Sequence, residues 1–123
     1  MSTLAKRTSL SAGTLIGDKV NNRAGDNVGS VKEIMIDLNS GRISYVVVSV
    51  GGFLGIGDKL FAIPWKALEV DTDNHALLFD VSKEQLEQAP GFDQDDWPDM
   101  ADPKWGQAVH AYYKTKPYWE LDS

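Results

Sequence analysis

Apolar residues recur along the first two thirds of the chain in short clusters, and turn residues separate them. TLIGDKVNN reads as a short strand ending in an Asn21-Asn22 turn, and Arg23 to Asn27 continues that turn with residues that tolerate positive φ. NVGSVKEIMIDLNSG places Val31, Ile34 and Ile36 in near-alternation, with Met35 and Leu38 making it imperfect, which predicts a strand carrying a bulge. Asn39-Ser40-Gly41 is a tight-turn signal, and the β-branched run RISYVVVSV predicts a central strand buried on both sides, paired as a hairpin with the strand before it. DKLFAIPW predicts another strand, which Pro64 stops or places at an edge. Ala67 to Val70 and Ala76 to Phe79 flank Asp71 to His75 as a second hairpin. In SKEQLEQAP, Ser82 and Gln85 have capping-box spacing, which predicts a helix of two turns ended by Pro90-Gly91.

Five or six short strands without long intervening helices predict an all-β fold, a small antiparallel six-stranded barrel, followed by a short helix. This pattern decides how the glycine cluster GGFLGIG at 51–57 is read. A phosphate-binding glycine loop must lead from a strand into a helix whose N-terminus faces the phosphates, and this one leads into DKLFAIP, a strand, with no Gly-Lys-Ser/Thr. The glycines are therefore read as the bend of a wide hairpin loop. Phe53 and Leu54 at its tip fold back over the barrel end or touch a partner. Ile16-Gly-Asp-Lys19 recurs as Ile56-Gly-Asp-Lys59, too short a match to support a repeat fold.

The chain's 123 residues fit one small domain, and a core of that size makes self-association a plausible supplement to stability. There is no cysteine, so thiolate chemistry and disulfides are excluded. Two histidines leave little for zinc, and no metal or cofactor site is expected. No apolar run is long enough to span a membrane and no secretory h-region follows the start, so a cytoplasmic protein is expected. Net charge is −6 and uneven, with six Lys/Arg against four Asp/Glu up to Val50 and six against fourteen after it. That balance argues against broad capture of nucleic acid, which needs a basic face to displace counterions.

TLIGDKVNNRAGDNVGSVKEIMIDLNSGRISYVVVSVGGFLGIGDKLFAIPWKALEV resembles the PRC-barrel family, named for the cytoplasmic domain of the photosynthetic reaction-centre H subunit and shared with the ribosome-maturation protein RimM. The matching pieces are Leu15-Ile16-Gly17 before Val20, the second strand with Gly29 and Asp37, the turn from Asn39 to Ile43, and the glycine loop with Ala62-Ile63-Pro64-Trp65. The resemblance runs from about Ser9 to Val81. It implies a small all-β barrel that serves as an interaction module without general catalytic activity. Reaction-centre H subunits carry a membrane helix ahead of the barrel and RimM-type proteins a second barrel. Only about a dozen leader residues stand there in this sequence, as in stand-alone PRC-barrel proteins of bacteria or archaea.

Candidate chemistry is sparse. DTDNH, from Asp71 to His75, starts like a calcium loop but lacks its later glycine and closing glutamate, and the Asp93 to Asp102 run has no ligand spacing, so turn and solvated-linker roles are preferred. His75 and His110 have no nucleophile near them in sequence, and no enzyme is expected. Lys59 and Lys66 beside Trp65 have the residue types that pair and stack with nucleotides, but isolated rim lysines more often solubilise.

The tail is where the sequence departs from a plain barrel. Trp97, Trp105, Tyr112, Tyr113, Tyr118 and Trp119 are half of the twelve aromatics in about a fifth of the chain, a density foreign to disorder. A short helix over Gly106 to Lys114, after Pro103, sets Val109 and Tyr113 on one face. The expected organisation is a leader at 1–8, a barrel domain at 9–91, and an acidic linker with an ordered aromatic tail at 92–123. That tail docks on its own barrel, on a second copy in a homodimer, or on another protein. With Phe53, Leu54 and Trp65, the six tail aromatics are the interaction candidates of a non-enzymatic scaffold or adaptor. An RNA or ribosome-assembly accessory and a small-ligand-binding protein are the alternatives.

Overall fold

The computed structural model describes residues 10–51 and 59–120. Six strands, β1 (Lys19–Asn21), β2 (Asn27–Asp37), β3 (Arg42–Val50), β4 (Lys59–Pro64), β5 (Leu68–Asp71) and β6 (Ala76–Phe79), form one sheet in the order β4-β3-β2-β1-β6-β5. Phe61 and Ile63 from one edge strand share a hydrophobic cluster with Leu68 and Val70 from the other, together with Val20, Val28, Val31, Val46, Val48, Leu77 and Phe79 between them. Edge strands meet in one core only if the sheet curls, so the fold is an open, curled half-barrel.

The expected antiparallel barrel needs one correction. Four of the strand pairs are antiparallel, but β1 runs parallel to β6, with Lys19 opposite Ala76 and Asn21 opposite Leu78. Parallel neighbours cannot be joined by a tight turn. Here the whole β2-to-β5 meander is the connection, and alternation within single strands carries no trace of it.

Local chemistry accounts for the hairpins. Asp37 Oδ2 accepts from the Ser40 amide at 3.1 Å and from its hydroxyl at 2.7 Å, while Gly41 takes a φ of 75° to re-enter the ladder at Arg42. The β5–β6 turn repeats the device: Asp71 accepts from the Asn74 side chain at 2.8 Å, and His75 adopts a left-handed φ of 51°. Register shifts between Val31 and Glu33 and between Met35 and Ile36 supply the bulge that the broken alternation of β2 predicts, twice over.

Two segments differ from their sequence reading. Thr14 and Leu15, expected to open the first strand, instead end a four-residue helix (α1, Ala12–Leu15), because the Ser11 hydroxyl caps the Thr14 amide and lets Leu15 plug the core. α2 (Lys83–Glu87) carries the complete Ser82–Gln85 capping box but stops short of two turns, and its Leu86 seals the core. After α2, Gly91 passes so close to β4 that a Cβ there would lie 2.8 Å from the Phe61 ring. That approach lets Phe92 bridge to Leu60 through two backbone bonds of 2.8 and 2.9 Å, which cap part of the open edge of β4.

Phe61 is fully buried, and its truncation leaves a cavity that the curled sheet cannot collapse. Phe61→Ala should lower the unfolding free energy in urea by about 3–5 kcal/mol. Leu38→Ala, at a side chain 91% exposed, should stay within about 0.5 kcal/mol of the parent.

Candidate functional site

Strand β3 has two buried faces. Val46, Val48 and Val50 point into the half-barrel, and Tyr45 and Val47 point outward yet are 1% and 0% exposed. The cover on the outer face is a helix, α3 (Pro103–Tyr112), and the chain that follows it. Asp102 caps α3 by accepting the Lys104 amide at 3.0 Å, with Pro103 at its first position.

Tyr45 is the centre of the contact. Trp105 packs edge-on at a centroid distance of 5.2 Å, Tyr118 edge-on at 5.8 Å and His110 tilted at 5.3 Å, while Ala62, Val109 and Met35 fill the space around them. Burial, with Tyr118 adding to it, pushes the Tyr45 phenol well above its ordinary pKa. Gly106 makes the approach possible: a Cβ there would sit 2.9 Å from both the Tyr45 hydroxyl and the Trp119 ring.

His110 organises the end of the tail. Its ring is 1% exposed, with Nδ1 2.7 Å from the Gly106 carbonyl and Nε2 3.2 Å from the Tyr118 amide. Nδ1–H therefore donates and Nε2 accepts, an assignment only the neutral ring satisfies. Desolvation lowers its pKa, against smaller upward contributions from the Gly106 carbonyl and Glu120. The helix ends in a Schellman arrangement, Thr115 N–H to His110 O and Lys114 N–H to Ala111 O, with Lys114 at φ 59° in the position glycine usually takes. The reversed chain is then held to the β2–β3 hairpin by Arg42, whose Nη1 donates to the Tyr118 carbonyl at 3.2 Å.

The sequence-predicted residues separate into groups. Trp105 and Tyr118 join the Tyr45 cluster. Tyr113 lies against Phe79 at 5.6 Å, and the Tyr112 hydroxyl donates to the Gln85 carbonyl at 2.7 Å, tying α3 to α2. Trp97 stacks edge-on with Phe92 at 5.2 Å, away from Tyr45, and Trp119 contacts His110 with its outer side 43% exposed. Trp65 sits in a single 3-10 turn (Trp65–Ala67) after β4. Phe53, Leu54 and the glycine loop beyond Gly51 lie outside the described residues. Tyr45, Gly106 and His110 have no site role in the sequence reading. The 106/110 spacing of one helical turn was the available signal, but glycine in a helix and a lone histidine both have commoner explanations.

Where β3 begins, β4 ends and the tail returns, a cleft of about 360 Å³ opens. Its walls are Arg42 and Ile43 from β3, Trp65 and Lys66 after β4, and His110, Lys116 and Tyr118 from the tail. Among the described residues three cations and no carboxylate line it, on a chain of net charge −6. Among the described residues no group of three or more His, Asp or Glu could hold a metal ion, and no helix is long and apolar enough to cross a membrane.

A family model, the PRC-barrel domain, matches residues 7–86. The chain belongs to the PRC-barrel family. Its curled six-stranded sheet agrees with that assignment, and the match ends within α2, so the tail that covers Tyr45 lies outside it. Among solved structures, the chain is similar to a putative 16S ribosomal RNA processing protein RimM from Pseudomonas aeruginosa, at 15% identity and a TM-score of 0.42 over 65% of this chain. The alignment covers 48% of that protein, so the PRC-barrel chain spans about half its length. No curated protein matches the sequence.

Two outcomes are expected from this geometry. Gly106→Ala should force Tyr45 and Trp119 apart, lowering stability by about 1–3 kcal/mol and shifting tryptophan emission to the red as Trp105 and Trp119 gain water. His110 should make stability pH-dependent. Its proton affinity is lower folded than unfolded, so the unfolded chain takes the proton first. The stability that neutral His110 contributes is complete above about pH 6.5 and is lost as pH falls from there through the lowered folded value. Thermal melts from about pH 7.5 to 5, where most carboxylates stay charged, should show that loss, and His110→Gln should flatten it.

Proposed function

We propose that this PRC-barrel chain is a non-enzymatic, cytoplasmic protein-interaction module that associates with itself or with another protein. The observation that carries the reading is the outer face of β3 and β4. This sheet face accepts an aromatic-bearing helix from outside the family-matched region through Tyr45, Ala62 and Met35. Such a face is docking chemistry, and here the chain's own tail occupies it.

Docking the tail leaves apolar groups outward near the same end of the sheet. Ile36 and Leu38 belong to β2 and the β2–β3 hairpin turn, and Trp119 follows the Tyr118 that Arg42 holds to that hairpin. Large side chains left exposed on a small domain favour a contact between copies. The side chains that form the half-barrel core are aliphatic or aromatic and pack on one another, which supports a structural barrel over a catalytic one.

Light scattering of the full chain tests the reading. The dimer mass is expected at tens of micromolar, and Leu38→Ser/Trp119→Ser should return the monomer mass with the β-rich circular dichroism retained. A full chain that stays monomeric near millimolar concentration rules out self-association. Turnover of a substrate that depends on the residues of the tail–barrel cleft would overturn the non-enzymatic reading.

A further inference from the structure

Lys66 and Lys116 line the cleft between barrel and tail, and neither takes part in an ion pair among the described residues. Arg42, the third cation, is held by its donation to the Tyr118 carbonyl. The apolar part of the lining is flat: Ile43, Trp65 and Tyr118. Elsewhere the chain has an excess of acid, and fourteen of its eighteen Asp and Glu follow Val50. Among the described residues the charged groups lining the cleft are cationic, with the Asp37 and Glu120 carboxylates acting on Tyr118 and His110 from outside the lining, so the positive potential is centred on Lys66 and Lys116.

The surroundings discriminate between anions. No described α-helix begins at the cleft, and the two 3-10 turns that start there, at Trp65 and Tyr118, are three residues each, too short for the summed dipole that cradles a phosphate dianion. α3 brings its other end instead, through His110 in the last turn, and the negative pole of the helix disfavours a concentrated double charge. Separate cations around an apolar floor match separate single charges carried on an apolar stem. We propose that the cleft binds an acidic peptide segment of a protein partner, with carboxylates flanking an aromatic side chain. The inference rests on the interaction-module reading and supplies the partner's chemistry.

One segment of that chemistry is on the chain itself. Asp93, Asp95, Asp96 and Asp99 surround Trp97 in sequence, Trp97 is 37% exposed, and none of the four carboxylates forms an ion pair among the described residues. It cannot be the occupant in the same molecule as folded here. Phe92 is bridged to Leu60 at the start of β4 and the cleft lies past Pro64 at its end, roughly 13 Å further along the strand at ~3.3 Å per residue. The occupant is therefore this segment of a second copy of the chain, and a different acidic protein is the other outcome of the test.

The probe is a labelled synthetic peptide of residues 92–99, FDQDDWPD, titrated into the full chain and followed by fluorescence anisotropy. Binding is expected, weakening at least tenfold for Lys66→Glu/Lys116→Glu and between 50 and 500 mM salt. Both lysines are exposed, so the fold should survive, which unchanged melts would verify. A peptide with Asn for every Asp should lose the affinity. If Asp95→Lys/Asp96→Lys in the full chain abolishes its dimer and restores one with the lysine-reversed chain, the source is a second copy. Peptide binding without a dimer assigns the cleft to another acidic protein. The proposal is overturned if the peptide does not bind, if the all-Asn peptide binds equally, if the lysine reversals change nothing, or if a ring-bearing phosphate such as UMP displaces the peptide at lower concentration. Failure of the peptide with dimerisation intact removes the cleft assignment alone, and failure of both removes the interaction reading as well.

Discussion

Tyr45 stands in a strand that must be covered on both faces, and most of the molecule answers to that requirement. Val46 and Val48 on one side need a curled sheet around them, and β1, β2, β4, β5 and β6 supply it. Tyr45 and Val47 on the other side leave large apolar area facing water unless something lies across it. α3 is that cover. Its Gly106 gives up a side chain so that the phenol and the indole of Trp119 can approach, and its His110 gives up its charge so that the Tyr118 amide has an acceptor.

The same packing produces the cleft. Arg42, Trp65 and Lys66 belong to the barrel, and Lys116 and Tyr118 to the tail, so the cationic pocket exists only when the tail lies on the sheet. The family-matched barrel alone holds seven of its ten lining residues, and the tail supplies the other three. Recognition at the proposed cleft would thereby be coupled to the docking contact that the neutral His110 imidazole helps to hold. The contact is local, formed by ring packing of about 0.5–1.5 kcal/mol per pair beyond area burial, so modest perturbations of the tail reach the cleft directly.

Elements governed by near neighbours in sequence were legible. The Asn39–Gly41 turn, the Asp71–His75 turn, the Ser82–Gln85 capping box and the bulged β2 all rest on contacts within a few residues. So was the two-sided burial of β3, because a strand without a polar face needs cover on both sides. α1 was missed for a reason equally local: Ser11 and Thr14 form a cap whose signal competes with the apolar Leu15-Ile16 pair that suggested a strand. The aromatic tail announced that it would pack, but its composition did not distinguish Trp105, packed on Tyr45, from Trp97, stacked on Phe92.

By itself, the amino-acid sequence determined the strand succession, the family, the turns and the presence of an apolar tail, since those follow from period, capping and composition. Only the tertiary structure decided that β1 runs parallel to β6, that Tyr45 is the anchor of the tail, and that Arg42, Lys66 and Lys116 meet at one cleft. Each joins residues tens of positions apart. Local propensity carries no information about which distant surfaces meet, and that choice is made by which pairing buries the most apolar area without stranding a polar group.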